Sequence, residues 1–236
     1  MTRLNEFGQP VGDPVEWSAA TFPPAVALAG RHVALDEPMA PQHAQAVVDR
    51  LAPYPDLWTY QAEDAPASVD EAAAVISAAV AAPDTVPYAI VDRPGGELLG
   101  RVSYLRIQPG LGSIEVGGII YGPGLQRTTG ATEVQHLLMR HAFDDLGYRR
   151  YEWKCDSLNA PSRSAALRLG FVEEGTWRNA LIYKGRNRDT TWFSVTDAEW
   201  PTVGAAFEEW LADANRDASG QQRRSLAEIR TALRAG

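Results

Sequence analysis

Residues Ile114 to Phe171, IEVGGIIYGPGLQRTTGATEVQHLLMRHAFDDLGYRRYEWKCDSLNAPSRSAALRLGF, decide how this chain folds. Ser113 to Tyr121 is apolar and β-branched enough to read as a buried strand. Its Gly117-Gly118 pair sits in mid-strand, where glycine weakens pairing and marks a bulge, a close backbone approach or a simple twist. The polar stretch Leu125 to Thr132 then joins the end of that strand to a helix predicted over Thr129 to Leu146. In that helix Val134, Leu137, Leu138, Ala142, Phe143 and Leu146 form one apolar stripe, with Gly147 as the stop. Such a loop turns its backbone N–H groups and the positive end of the helix dipole toward one space, which attracts a pyrophosphate. In the next strand Tyr151, Trp153 and Cys155 share one face and Glu152, Lys154 and Asp156 the other. Asn159-Ala160-Pro161-Ser162 opens a short helix that closes at Leu169-Gly170-Phe171.

Outward from this core the signals are weaker. Arg31 to Leu35 reads as a first strand, and Gln42 to Leu51 and Ser68 to Ala82 as helices, the second opened by a Ser68/Glu71 capping box. Tyr88 to Asp92 and Glu97 to Ile107 read as a hairpin turned at Arg93-Pro94-Gly95-Gly96. A second hairpin is predicted from Trp177 to Lys184 and Asp189 to Val195, turned at Gly185-Arg186-Asn187-Arg188. Glu199 to Ala214 and Gln222 to Leu233 read as amphipathic helices, with Leu226, Ile229 and Leu233 on one face of the last. The expected layout is an N-terminal extension over 1–30, a main domain over 31–200 and a helical extension over 201–236. The first of these reads as an arm laid over the domain or as a disordered leader.

Composition narrows the function. With 236 residues, 45% of them hydrophobic, the chain can bury one sizeable core. A net charge of -8 argues against nucleic acid as partner. The lone Cys155 excludes an intrachain disulfide and fits a reducing, cytoplasmic compartment. MTRLNEFGQP does not read as a signal peptide, and the longest apolar run, Ala72 to Ala82, is too short to span a bilayer, so no membrane partner is expected. His32, His43, His136 and His141 show no metal-like clustering with acids or Cys155, so no metal is expected. No Ser sits in a nucleophile elbow.

The strand with Gly117-Gly118, the loop Gln126-Arg127-Thr128-Thr129-Gly130-Ala131, the Asn159-x-x-Ser162 pattern and Leu169-Gly170-Phe171 together resemble the acyl-CoA-binding core of the GNAT superfamily of N-acetyltransferases, in its RimJ/RimL-like branch. The superfamily loop is Gln/Arg-x-x-Gly-x-Gly/Ala. Here Thr129 stands where glycine is usual, and a register beginning at Arg127 is the alternative. The resemblance implies an α/β fold with a mixed, twisted central sheet, a splayed V between two parallel strands, and helices on both faces. It implies acetyl-CoA, or another acyl-CoA, as co-substrate. The donor's diphosphate would lie on Gln126, Arg127, Thr128, Thr129, Gly130, Ala131 and Thr132, its pantetheine along Gly118, Ile119 and Asn159, and its sulfur near Ser162. Arg163, Ser164 and Arg168 could reach the nucleotide end or simply face solvent.

Acyl transfer to an amine needs placement, removal of a proton, a polarised carbonyl and help for the departing thiolate. Glu115 is the first choice of general base, Asp156 the second and Glu152 the third; each also reads as a solvated strand acid. Asn159 and Ser162 complete the catalytic set, and both also read as helix-start caps. Trp58 and Tyr60, in the segment Pro53 to Pro66, and Trp177 and Tyr183 are the expected substrate contacts, with core-edge packing as their other reading. The expected acceptor is a small amine, a protein N-terminus or a lysine side chain, and the resemblance implies direct attack in a ternary complex. A homodimer is allowed by the Arg-rich last helix. Two other functions fit the same residues: a catalytically silent CoA-binding regulatory module, and an interaction protein that assembles through its two extensions.

Overall fold

The computed structural model describes residues 3–36, 39–93 and 95–235. A small hairpin of β1 (Arg3–Leu4) and β2 (Pro10–Val11) precedes the main sheet. Eight strands build that sheet: β3 (Leu28–Ala29), β4 (Val33–Asp36), β5 (Val86–Asp92), β6 (Leu98–Gln108), β7 (Ser113–Tyr121), β8 (Arg150–Asp156), β9 (Val172–Tyr183) and β10 (Arg186–Thr196). Their order is β3-β4-β5-β6-β7-β8-β10-β9. Neighbours are antiparallel except β7 and β8, which run parallel. A parallel pair requires a long crossover, and α3 (Thr129–Arg140) supplies it.

One face of the sheet is covered by α1 (Ala44–Arg50) and α2 (Val69–Ala81), which enclose Leu51, Trp58 and Ile76 with Ala89, Leu98 and Ile120. The predicted cap of α2 is present, Ser68 Oγ accepting from Glu71 N at 3.2 Å. On the other face α3, α5 (Trp200–Leu211) and α6 (Leu226–Ala235) bury Val134, Leu138, Phe207, Trp210, Leu226 and Ile229 against Tyr88, Tyr104, Ile114 and Tyr151. The C-terminal helices are thus continuous with the main core. Between β8 and β9, α4 (Ala160–Leu169) begins at the Asn159 cap and ends at Gly170, whose φ of 109° suits only glycine.

Two local expectations change, and one open reading is decided. The helix predicted to Leu146 is α-helical only to Arg140; its last turn, His141–Asp145, widens to a π-turn in which Leu146 N bonds His141 O at 3.0 Å. The second hairpin turns on two residues, Lys184 and Gly185, with φ of 49° and 68°, the left-handed pair that a tight hairpin needs. Arg186 to Arg188, read as turn, therefore belongs to β10. Of the two readings of 1–30, the described residues form the arm: Thr21 N bonds Leu146 O at 2.9 Å, Ala20 N bonds Pro109 O at 3.1 Å, and Trp17 Nε1 donates to Gly110 O at 3.2 Å. Pro94 of the first predicted turn lies outside the described residues.

Candidate functional site

Strands β7 and β8 pair only from Ser113 opposite Arg150 to Val116 opposite Trp153, although both continue for several residues. They part because β7 bulges. Ser103 of β6 faces Gly117, but Arg101 faces Ile120, so β7 carries one extra residue, and Gly118 takes it up at φ 58°. Gly117 is needed beside it, since a Cβ there would lie 2.6 Å from Leu105 Cδ1. A cleft of about 1280 Å³ occupies the opening and runs from the Gln126–Thr128 loop to Tyr60 and Arg188.

On one side of the cleft lies the start of α3. Arg127 adopts φ 59°, Thr128 is extended, and the helix begins at Thr129. Thr128 Oγ1 donates to Leu125 O at 2.7 Å and accepts from Ala131 N at 3.2 Å. Among the described residues, the N–H groups of Arg127, Thr129 and Gly130 find no acceptor in the chain. The first turn of α3 carries no acid. Its positive end is uncompensated, as an anion site requires. Gly130 is glycine for packing, because a Cβ would come within 2.8 Å of Val33 Cγ1. The other loop residues have local bonds: Gln126 Nε2 donates to Tyr121 O at 2.9 Å, and Thr129 Oγ1 and Thr132 Oγ1 each accept from an arginine, Arg216 and Arg168, at 2.6 Å.

Across the cleft, Asn159 Oδ1 caps α4 by accepting from Ser162 N at 3.1 Å. Ser162 Oγ accepts from Trp153 Nε1 at 3.0 Å, which leaves the hydroxyl proton to be donated elsewhere. Cys155 is buried beside it, and burial pushes its thiol pKa up, so it stays protonated. Gln61 Nε2 donates to Ile119 O at 3.0 Å, pinning the α1–α2 segment over the bulge.

The opposite face of β8 holds the acids. Glu115 is 3% exposed and bonded to Arg106 Nη1 and Lys154 Nζ, each at 2.7 Å. Lys154 also meets Glu152 at 2.8 Å and lies 3.7 Å above the Trp192 ring, while Arg150 holds Glu152 at 2.7 Å. Burial opposes the Glu152 charge, but the hydrogen bonds from Lys154 and Arg150 outweigh it and lower its pKa. Asp156, 4% exposed, accepts among the described residues from neutral donors alone, Leu158 N at 2.8 Å and the Tyr183 hydroxyl at 2.9 Å. Burial, and then the Asp156 carboxylate, raise the Tyr183 pKa.

The expected aromatic contacts divide. Tyr60 lines the cleft and donates to Leu158 O at 3.2 Å. Trp58 does not; it is 3% exposed, donates to Leu51 O and packs under Arg101 in the smaller core. Trp177 lies outside the cleft, 60% exposed and 4.4 Å from Trp192. Tyr183 does not line the cleft itself; it reaches the site through Asp156 and through Arg188, whose guanidinium lies 5.8 Å from its ring. The sequence reading did not single out Gln61, Arg101, Lys154 or Arg188, all brought to the cleft, nor Lys184, which crosses its rim to Trp58 O at 2.8 Å and Asp64 at 2.9 Å. Arg188 could have been found had Gly185 been paired with Lys184 as the turn. Among the described residues no group of three His, Cys, Asp or Glu could hold a metal, and no helix is long and apolar enough to cross a membrane.

Comparison with known proteins bears on the family and the fold. Residues 35–172 match the family model described as Acetyltransferase (GNAT) domain. A GCN5-related N-acetyltransferase from Brucella melitensis is 41% identical, with a TM-score of 0.86 over 92% of this chain and 99% of that one. A structure from Chromobacterium violaceum ATCC 12472, described as a candidate GNAT-family acetyltransferase, is 36% identical, with a TM-score of 0.77 over 82% and 99%. YdaF of Bacillus subtilis (strain 168), named as a candidate ribosomal N-acetyltransferase, is 33% identical over 63 residues, 27% of this chain and only 34% of that protein.

Proposed function

The chain belongs to the GNAT acetyltransferase family, and on that premise we propose that it transfers acetyl from acetyl-CoA directly to a primary amine held on the Asp156 side of the cleft. The reading rests above all on the parting of β7 and β8 at the Gly118 bulge, which opens a path between the free amides at the start of α3 and the acids of β8. The Arg127, Thr129 and Gly130 amides hold the diphosphate. Pantetheine lies along Gly118 and Ile119 and beside Asn159, and a backbone N–H of the bulge polarises the thioester carbonyl.

Asp156 takes the proton from the amine. It is preferred to Glu115, whose two oxygens are each engaged by a cation, Arg106 on one and Lys154 on the other. The amine nitrogen then attacks the carbonyl carbon, the C–S bond breaks, and the thiolate leaves with a hydrogen bond from the Ser162 hydroxyl; the second proton that the nitrogen sheds as the amide forms neutralises the thiolate, so Ser162 keeps its own proton. The products are an amide and CoA thiol. The acceptor class we favour is a protein amine, such as the N-terminus of a ribosomal protein, since the name of YdaF points to the ribosome; small amines are the alternative.

The test is thiol release from acetyl-CoA across a panel of N-terminal peptides, ribosomal proteins and small amines. Release that depends on one amine, with a product heavier by one acetyl group, supports the reading. Binding of acetyl-CoA without turnover on any member would replace it with a regulatory module.

A further inference from the structure

A cation at the positive end of a helix is unfavourable unless an anion joins it. Yet the start of α3 is surrounded by arginines. Arg127 is exposed in the loop itself, Arg168 Nη2 donates to Thr132 Oγ1, and Arg216 Nη2 donates to Thr129 Oγ1, both at 2.6 Å. Among the described residues none of the three has a carboxylate partner, although the chain carries 30 acids against 22 Lys and Arg.

Two of these arginines are held in place by the C-terminal extension, beyond the residues 35–172 that match the family domain. Arg216 follows the short turn Asp213–Asn215, and its backbone is fixed by Arg223, whose Nε donates to Arg216 O at 2.9 Å. Arg168 packs its guanidinium 5.3 Å from the Trp210 ring of α5, and its carbonyl accepts from Arg230 of α6 at 2.9 Å. Thr129, the residue in the usual glycine place, is what Arg216 grips. A side chain at this position therefore anchors a charge that comes from beyond residues 35–172.

We infer that the C-terminal extension is part of the donor site, and that Arg216 binds a phosphate of the acyl-CoA nucleotide. The inference rests on the acetyl-CoA reading above and adds a specificity: the protein should prefer a phosphorylated donor, and the preference should run through Arg216.

The experiment compares acetyl-CoA with phosphate-free S-acetyl-pantetheine, measuring kcat/KM by thiol release in wild type, Arg216→Gln and Arg216→Lys, with the melting temperature of each variant as a folding control. Arg216→Gln should lower kcat/KM for acetyl-CoA about tenfold, the scale of one lost charge-assisted hydrogen bond, through KM. It should leave S-acetyl-pantetheine unchanged, with Arg216→Lys in between. Equal losses on both donors would make Arg216 a structural tie and overturn the inference, as would no loss on either. A wild-type protein that turns over neither donor would sink the acyl-transfer reading and this inference with it. Wild-type turnover with no preference between donors would sink the inference alone.

Discussion

Replacing Glu115 by Gln separates a structural role from a catalytic one. Its carboxylate is 4% exposed and meets Lys154, 9% exposed, at 2.7 Å, so this ion pair is shielded from water on both sides. Removing one partner of a buried pair costs about 3–5 kcal/mol, because the remaining charge stays buried. Two features place Glu115→Gln at the low end. Lys154 keeps Glu152 at 2.8 Å and the Trp192 ring, and Arg106, 56% exposed, can return to water. The expected loss is therefore about 3 kcal/mol. For a chain of this size that corresponds to a melting temperature lower by about 6–12 °C. Scanning calorimetry gives the shift, and thiol release per folded molecule at a temperature well below both transitions gives activity. The variant should melt early and remain within a few-fold of wild-type turnover. An unchanged melting temperature with turnover reduced a hundredfold would refute this reasoning and make Glu115 the base.

Asp156→Asn should do the reverse, lowering kcat by about 10²–10⁴-fold with the KM for acetyl-CoA little changed; steady-state kinetics with retained activity would remove Asp156 from proton transfer. Gly130→Ala would set a methyl 2.8 Å from Val33 Cγ1 and 3.3 Å from Leu125 Cδ1, so it should cost about 1–3 kcal/mol and weaken the thermal shift produced by acetyl-CoA; an unaltered shift would place the phosphate site elsewhere. Stability should fall as pH drops below 6.5. The cause is His136, stacked on Phe207 with ring centroids 5.5 Å apart, whose pKa burial lowers. As pH falls below the ordinary histidine value the unfolded chain takes up a proton that the folded one refuses, so stability present above that value is lost on the way down. His136→Leu should flatten this slope between pH 7.5 and 5.5, and an identical slope in the variant would exclude His136.

The sequence carried the bulge, the loop ahead of α3 and the α4 cap because each depends on neighbouring residues: two glycines in a strand, a strand-to-helix loop, an Asn before Pro. The acceptor half was harder to read, since it depends on register. Taking Gly185 to Arg188 as a turn removed Arg188 from the sheet, although the positive φ at both Lys184 and Gly185 closes the hairpin two residues earlier. Trp58 reads as a pocket residue because its segment joins the first two helices, and in related folds that segment lines the acceptor side of the cleft. Its fate was decided by Leu51, Ile76 and Ile120, distant in sequence, which close over it. The ion pairs around Glu115 likewise join three strands, β6, β7 and β8, and no local pattern in any one of them announces the other two.

One irregularity ties these parts together. Past the last paired residue, Trp153, the parallel partner of β8 turns away at Gly118, leaving the end of β8 open toward β7. Strand alternation then does the rest. Cys155 goes toward Ser162 and α4, and Asp156 goes toward Tyr183 and the hairpin. A thioester threaded through the gap would have its leaving group on one face of β8 and its attacking amine on the other. A change that closes the gap should therefore damage both halves at once, while a change on either face of β8 should damage only its own, as the separate expectations for Gly130 and Asp156 require.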